Sequence, residues 1–274
     1  MKKFEGILIC TDLDGTLLNS EHTVSRENLD AIEHFKAEGG IFTFITGRMP
    51  YFAADISDTV KPNAPFGCIN GGGLYDKKAG KYLWSQTLDP SVIELVEYVD
   101  KNVEGIGIQV NTLEKLYFAR NNSAMERFRK ITGMENTVLD YKDVDLPIGK
   151  IVFGDEDEEH IDRVKTLLDN HPRAAEFDFI RSELTLYEIL PKGINKGSVL
   201  PILAEHMGID MSRTVAVGDY NNDVGMIKAA GLGIAVANAT PEAKAVADVI
   251  TVSNDDHAIA KIISDIEHGE LKIE

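Results

Sequence analysis

The sequence predicts an α/β fold: a parallel sheet with helices on both faces, into which an α+β unit is inserted. Three observations carry this expectation. Short continuous apolar runs at residues 6–11, 41–45, 66–69, 214–217 and 233–236 read as strands buried on both faces. Segments with apolar residues at helical spacing lie between them, as the crossovers of a parallel sheet require. From 83 to 190 the alternation breaks, and paired strand signals appear between helices. Residues 1–82 and 191–274 are therefore expected to form one core domain, and 83–190 a second.

The first strand signal runs into Asp12-Leu13-Asp14-Gly15-Thr16. In extended backbone, residues i and i+2 point the same way, so both carboxylates are expected to face one site. Gly15 supplies freedom for a sharp departure, and Thr16 a hydroxyl able to bond back into the loop. Two adjacent acids are costly without a cation, and a hard divalent ion with oxygen ligands suits them. Taken alone the segment reads equally well as a structural turn. An EF-hand loop fits poorly: counting from Asp12, Gly comes fourth and Thr23 twelfth, where that loop wants Gly sixth and Glu twelfth. His22, just beyond, reads as a loop residue.

Ser25 then caps a helix with Leu29, Ile32 and Phe35 on one face, closed by Gly39-Gly40. The second strand ends in Thr46-Gly47-Arg48, and the third runs into Asn70-Gly71-Gly72-Gly73. Within the insertion, helices are expected over 91–102, 124–131 and 159–168, with strands at 107–110, 115–119, 150–153, 176–180 and 185–190. The acidic run 155–159 reads as a loop feeding a helix N-terminus. Lys196 then opens a helix over 196–207, a place favourable to anions. Pro201 predicts that this helix begins late or kinks. The strand 214–217 ends in Gly218-Asp219, a helix is expected over 222–230, and Ile259, Ile262, Ile263 and Ile266 stripe a last helix.

The 274 residues carry 28 Lys and Arg against 45 Asp and Glu, a net charge of −17. Such a surface repels nucleic acid and anionic membrane, so neither is expected as a partner. It also means that a phosphorylated substrate binds only where local cations overcome the field. Cys10 and Cys68 lie in apolar runs and read as buried free thiols. The seven histidines show no paired ligand spacing, and no apolar run is as long as a membrane span. A reducing cytoplasm is the expected compartment.

Asp12, Asp14, Thr46, Lys196, Asp219 and Asp223 thus all fall at strand ends or helix starts, the edge where open α/β sheets bind ligands. Their order resembles the haloacid dehalogenase (HAD) superfamily of aspartate-nucleophile phosphatases. The motifs are Asp12-x-Asp14-Gly15-Thr16, Thr46-Gly47-Arg48, Lys196-Gly197 and Gly218-Asp219-x-x-Asn222-Asp223. The large insertion between the second and third is similar to the Cof-like, type IIB capped branch. Asn70-Gly71 also matches a segment of that branch, although Gly72 and Gly73 depart from the alanine expected there.

The resemblance implies a Rossmann-like core with a cap that excludes water and contacts the leaving group. It implies a Mg2+-dependent phosphatase acting on small phosphorylated metabolites, sugar phosphates or related monoesters. Asp12 would be the nucleophile and a metal ligand, forming a phospho-aspartyl intermediate. Asp14 would serve as acid and base, with its carbonyl on the metal. Asp219 would complete the protein ligands, with Asp223 acting through water or as an orienter. Thr46, Gly47, Lys196 and Asn222 would hold the phosphoryl oxygens. Arg48 either approaches substrate or pairs with nearby acids. Arg120, Arg181 and Glu188 lie near strand ends of the insertion, within reach of a polyol. A phosphomutase, or a sugar-phosphate-binding regulatory module without turnover, are the competing functions.

Overall fold

The structure is a computed structural model describing residues 2–145 and 147–273. The chain divides into two compact units, Met1–Ser85 with Asn195–Glu274, and Gln86–Ile194.

In the first unit, five strands form a parallel sheet in the order Val249–Ile250, Leu232–Ala235, Thr214–Gly218, Leu8–Thr11, Ile41–Phe44. From the strand Leu8–Thr11 the chain steps to Ile41–Phe44 on one side. After Thr214–Gly218 it steps outward on the other. The order reverses between Leu8–Thr11 and Thr214–Gly218, and a crevice at such a reversal is where open parallel sheets bind ligands. Leu8, Cys10 and Ala216 pack with Val199, Leu200 and Leu203 on one face of this sheet. The alternate residues Ile9, Val215 and Val217 are equally buried, so both faces are covered.

The helix Arg26–Ala37 begins where Ser25 Oγ accepts the Asn28 amide and packs against the helix Ala258–Glu267. The helix Lys196–Met207 begins at Lys196 itself, so Pro201 does not delay it. Pro201 has no amide to give the Gly197 carbonyl, and tertiary burial of Val199, Leu200 and Leu203 carries the helix through that loss. The helix expected over 222–230 is shorter. A 3₁₀ turn at Asn221–Asp223 precedes the helix Val224–Ala229. The Asp223 carboxylate accepts the Asp219 and Tyr220 amides, both at 2.9 Å, and this holds the tight turn. An antiparallel sheet of Phe66–Cys68, Gly73–Asp76 and Lys81–Ser85 completes the unit. Its last two strands had no sequence signal, because most of their residues are half-buried or exposed and form no apolar run.

The second unit is the expected α+β arrangement. Its antiparallel sheet has the order Leu116–Arg120, Gly107–Thr112, Ile148–Gly154, Leu186–Pro191, Phe177–Glu183. The helices Val92–Asn102 and Glu158–Asp169 bury Leu95, Val99, Ile161 and Val164 against Ile108, Ile151, Phe153 and Ile189. Arg120 pairs with Asp100 and Asp140, and Arg181 with Asp162. Glu188 forms a buried pair with Lys150 and accepts from Ser182.

Both cysteines are buried and unpaired with each other, and burial pushes both thiols up. A thiolate-directed reagent such as Ellman's is therefore expected to leave both unmodified in the native protein and to label both in denaturant. Rapid native labelling of either would contradict this. Among the described residues, no helix is long and apolar enough to cross a membrane.

Candidate active site

The register Thr11↔Val217 sets the carboxyl ends of the neighbouring strands Leu8–Thr11 and Thr214–Gly218 side by side, and the Asp12 amide extends the ladder to the Val217 carbonyl at 2.8 Å. Asp12 follows one of these strands, and Asp219 and Asp223 follow the other. One oxygen from each of the three carboxylates lies within 4.8 Å of the others.

Lys196 stands among them. Its Nζ donates to Asp12 Oδ1 and to Asp223 Oδ1, each at 2.6 Å, and its side chain is 1% exposed. Asn195 places it: the Asn195 Oδ1 accepts the Gly197 amide at 2.8 Å, capping the helix at whose first position Lys196 sits. Burial alone would lower the Lys196 ammonium, but Asp12 and Asp223 outweigh it and hold it above the usual lysine range. Burial raises Asp12 well above ordinary carboxylates; Lys196 opposes this, while Asp223, Asp219 and Asp14 add to it. Asp219 is pushed up to about 6 by burial and by Asp223, against the hydrogen bond from Thr16.

Three crowded acids with one lysine leave excess negative charge, which a divalent cation relieves. The donors are all carboxylate oxygens, which suits a hard ion such as Mg2+. The fit is chemically sound.

Residues 9–263 match the family of haloacid dehalogenase-like hydrolases. The chain belongs to that family.

The protein YxeH of Bacillus subtilis (strain 168) is 30% identical to this hydrolase over 271 residues, covering 94% of this chain and 97% of that one. The 5-amino-6-(5-phospho-D-ribitylamino)uracil phosphatase YcsE of the same strain is 28% identical over 256 residues, with 93% and 94% covered. The crystal structure of a haloacid dehalogenase-like hydrolase from Bacteroides thetaiotaomicron has a TM-score of 0.85 at 25% identity, covering 96% of this chain and all of that one.

In this hydrolase Asp14 is not placed as strand geometry implied. The chain leaves extended conformation directly after Asp12, and a tight turn over Leu13–Leu17 closes with the Leu18 amide on the Leu13 carbonyl at 2.8 Å. The i, i+2 argument therefore lapses. Gly15, at φ +80°, lies against Asp219: a Cβ there would come within 2.6 Å of its Oδ2. The Asp14 carboxylate is held in a two-bond fork by Arg48, with Nη2 to Oδ1 at 2.6 Å and Nε to Oδ2 at 2.9 Å. Arg48 thus pairs with an acid, the second of its two expected roles. Asp14 still contributes charge to the cluster, since it raises both Asp12 and Asp219.

Thr16 also departs from expectation. Its Oγ1 donates to Asp219 Oδ1 at 2.7 Å, across to the neighbouring strand end, and not back into its own loop. Thr46 is buried beside the site, with its Oγ1 accepting the Arg48 amide at 3.1 Å. Asn222 Nδ2 donates to Asn70 Oδ1 at 3.1 Å, and a Cβ on Gly47 would meet that same oxygen at 2.8 Å. Asp223 is fully buried, and its two oxygens are occupied by Lys196 and by the two backbone amides of the turn. Sequence reasoning gave no role to Asn70, Asn195 or Thr16's bond to Asp219. The only signal for Asn70 was its place in a segment familiar from the family.

Proposed function

We propose that this hydrolase is a Mg2+-dependent phosphatase of small phosphorylated metabolites, with Asp12 as nucleophile. The observation that carries the reading is Lys196, buried between Asp12 and Asp223 beside Asp219 at the reversal point of the sheet. A carboxylate attacking a phosphate dianion is repelled unless cations meet both partners.

Asp12 attacks phosphorus and the ester oxygen leaves, giving a phospho-aspartyl intermediate that water then hydrolyses. Asp14 gives a proton to the leaving oxygen and later takes one from the attacking water, leaving its fork with Arg48 to do so. Lys196 fixes the attacking oxygen and, with Thr46, the Gly47 amide and Asn222, receives the phosphoryl oxygens. Asp12, Asp219 and the Asp14 carbonyl would hold Mg2+, which when bound neutralises charge on the phosphoryl group. Asp223 orients Lys196 and the turn that carries Asp219.

The substrates are sugar phosphates or related monoesters of polyols. The phosphorylated ribityl compound in the name of YcsE belongs to this class. The net charge of −17 speaks against nucleic acid and membrane as partners, and the free thiols suit a cytoplasmic site.

A phosphate-release screen over phosphorylated metabolites, with Mg2+ and with a chelator, tests the reading. Release from several sugar or polyol phosphates is expected with Mg2+, falling at least about a hundredfold in chelator. Mg2+ is also expected to raise the melting temperature, by relieving the crowded acids. Absence of release from every compound would overturn the proposal. Formation of an isomer without free phosphate, seen by phosphorus NMR on a hexose phosphate, would assign a mutase instead.

A further inference from the structure

The three residues Ile69-Asn70-Gly71 contact Thr46, Gly47 and Asn222, three of the residues assigned above to the phosphoryl oxygens, and pack against the residue before Lys196. The Ile69 amide donates to the Arg48 carbonyl and the Asn70 amide to the Thr46 carbonyl, each at 3.1 Å. Asn70 is fully buried, and its Oδ1 accepts from Asn222 and lies against Gly47. Gly71, at φ +94°, packs on the residue before Lys196: a Cβ there would fall 2.0 Å from the Asn195 carbonyl oxygen.

The backbone of this turn is held in an unfavourable state. Ile69 has φ +55° and Asn70 φ +51°. A β-branched residue at positive φ is an outlier, and such strain persists only where its surroundings over-determine it. It lies next to the site and nowhere near the surface, since Ile69, Asn70 and Gly71 are all buried.

Asn222 supplies the second, independent observation. Its Oδ1 is buried and accepts no hydrogen bond from the described residues, so the bond to Asn70 is what sets which end of its amide is which. An asparagine serving a phosphoryl oxygen must present N–H and not C=O. With one amide hydrogen fixed on Asn70, the other is directed by the plane of the carboxamide.

We propose that Asn70 is a positioning residue for the phosphoryl group. It orients the Asn222 carboxamide and braces the Gly47 backbone, and the strained turn exists to hold it there. This rests on the phosphatase reading of the same site.

The test uses p-nitrophenyl phosphate with Mg2+, and inorganic phosphate as competitive inhibitor. Asn70→Gly deletes the side chain while suiting the positive φ, so its melting temperature is expected to stay near wild type. Its inhibition constant for phosphate is expected to rise about tenfold, as for a lost hydrogen bond to a charged group. KM is expected to rise with it. Asn70→Ala, with the same side-chain loss on a more strained backbone, should show the same inhibition constant despite a lower melting temperature. In the double variant Asn70→Gly/Asn222→Ala the loss of phosphate binding should be smaller than the product of the two single losses, because part of what Asn70 does runs through Asn222.

An unchanged inhibition constant in Asn70→Gly overturns the proposal, as does one that follows melting temperature across the two variants. Fully multiplicative losses in the double variant also overturn it. Failure of both single variants to fold would make Asn70 a structural residue and overturn it too. A wild-type protein that releases no phosphate would instead sink the phosphatase reading itself.

Discussion

Asp12→Asn is expected to abolish phosphate release, with kcat reduced by about four orders of magnitude or more, while the protein stays folded. Loss of a nucleophile commonly costs this much, because the groups around it cannot substitute for bond formation. Asparagine keeps the shape and can still accept from Lys196, but its amide oxygen is a poor nucleophile toward a phosphate ester. The fold should not suffer. Burial and the charges of Asp223, Asp219 and Asp14 all penalise the ionised Asp12, and only Lys196 among the causes favours it. A neutral side chain removes that penalty, so without metal the melting temperature is expected to hold or rise. The rise produced by Mg2+ should shrink, because one carboxylate of the cluster is gone. The readouts are steady-state phosphate release and thermal melting with and without Mg2+. Turnover within tenfold of wild type would remove Asp12 from its role.

Lys196→Met should injure both stability and activity, the opposite pattern. Its ammonium is buried and shared by Asp12 and Asp223 at 2.6 Å each. Methionine fills much of the volume but leaves two carboxylates facing each other without the cation. Breaking a buried pair by removing one partner typically costs about 3–5 kcal/mol. For a chain of this size that corresponds to a melting temperature lower by roughly 10 °C. Mg2+ should recover part of this by restoring positive charge. Activity should not recover to the same degree, since the contact proposed between the lysine and a phosphoryl oxygen is gone. A fall in kcat/KM of about 100-fold to 1,000-fold is expected, as for loss of a donor to developing negative charge. Chemical denaturation and kinetics on p-nitrophenyl phosphate measure the two effects. A variant as stable and as active as wild type would show that the lysine is no part of the site.

Much of this was legible along the chain because the site is built at strand ends. A buried parallel strand announces itself as a continuous apolar run, and the polar residues that follow are conspicuous. Asp12 after residues 6–11, Thr46 after 41–45 and Asp219 after 214–217 were found in this way. The hairpin strands Gly73–Asp76 and Lys81–Ser85 escaped because few of their side chains are fully buried, so no apolar run marks them. The position of Asp14 was misread for a different reason. The alternation of side chains holds only while the backbone stays extended, and the turn after Asp12 ends that at once.

The sequence by itself determined the alternation of strands and helices, the inserted α+β segment, and which acids and which lysine fall at strand ends and helix starts. These follow from local periodicity and from the chemistry of single side chains. Only the tertiary structure decided who holds whom. Asp219 is held by Thr16, Asp14 by Arg48 and Asn222 by Asn70, across separations of 203, 34 and 152 residues. The physical reason is that a hydrogen bond between distant segments depends on sheet register and turn shape to within a few tenths of an ångström. Composition and spacing carry no record of such distances until the strands are laid side by side.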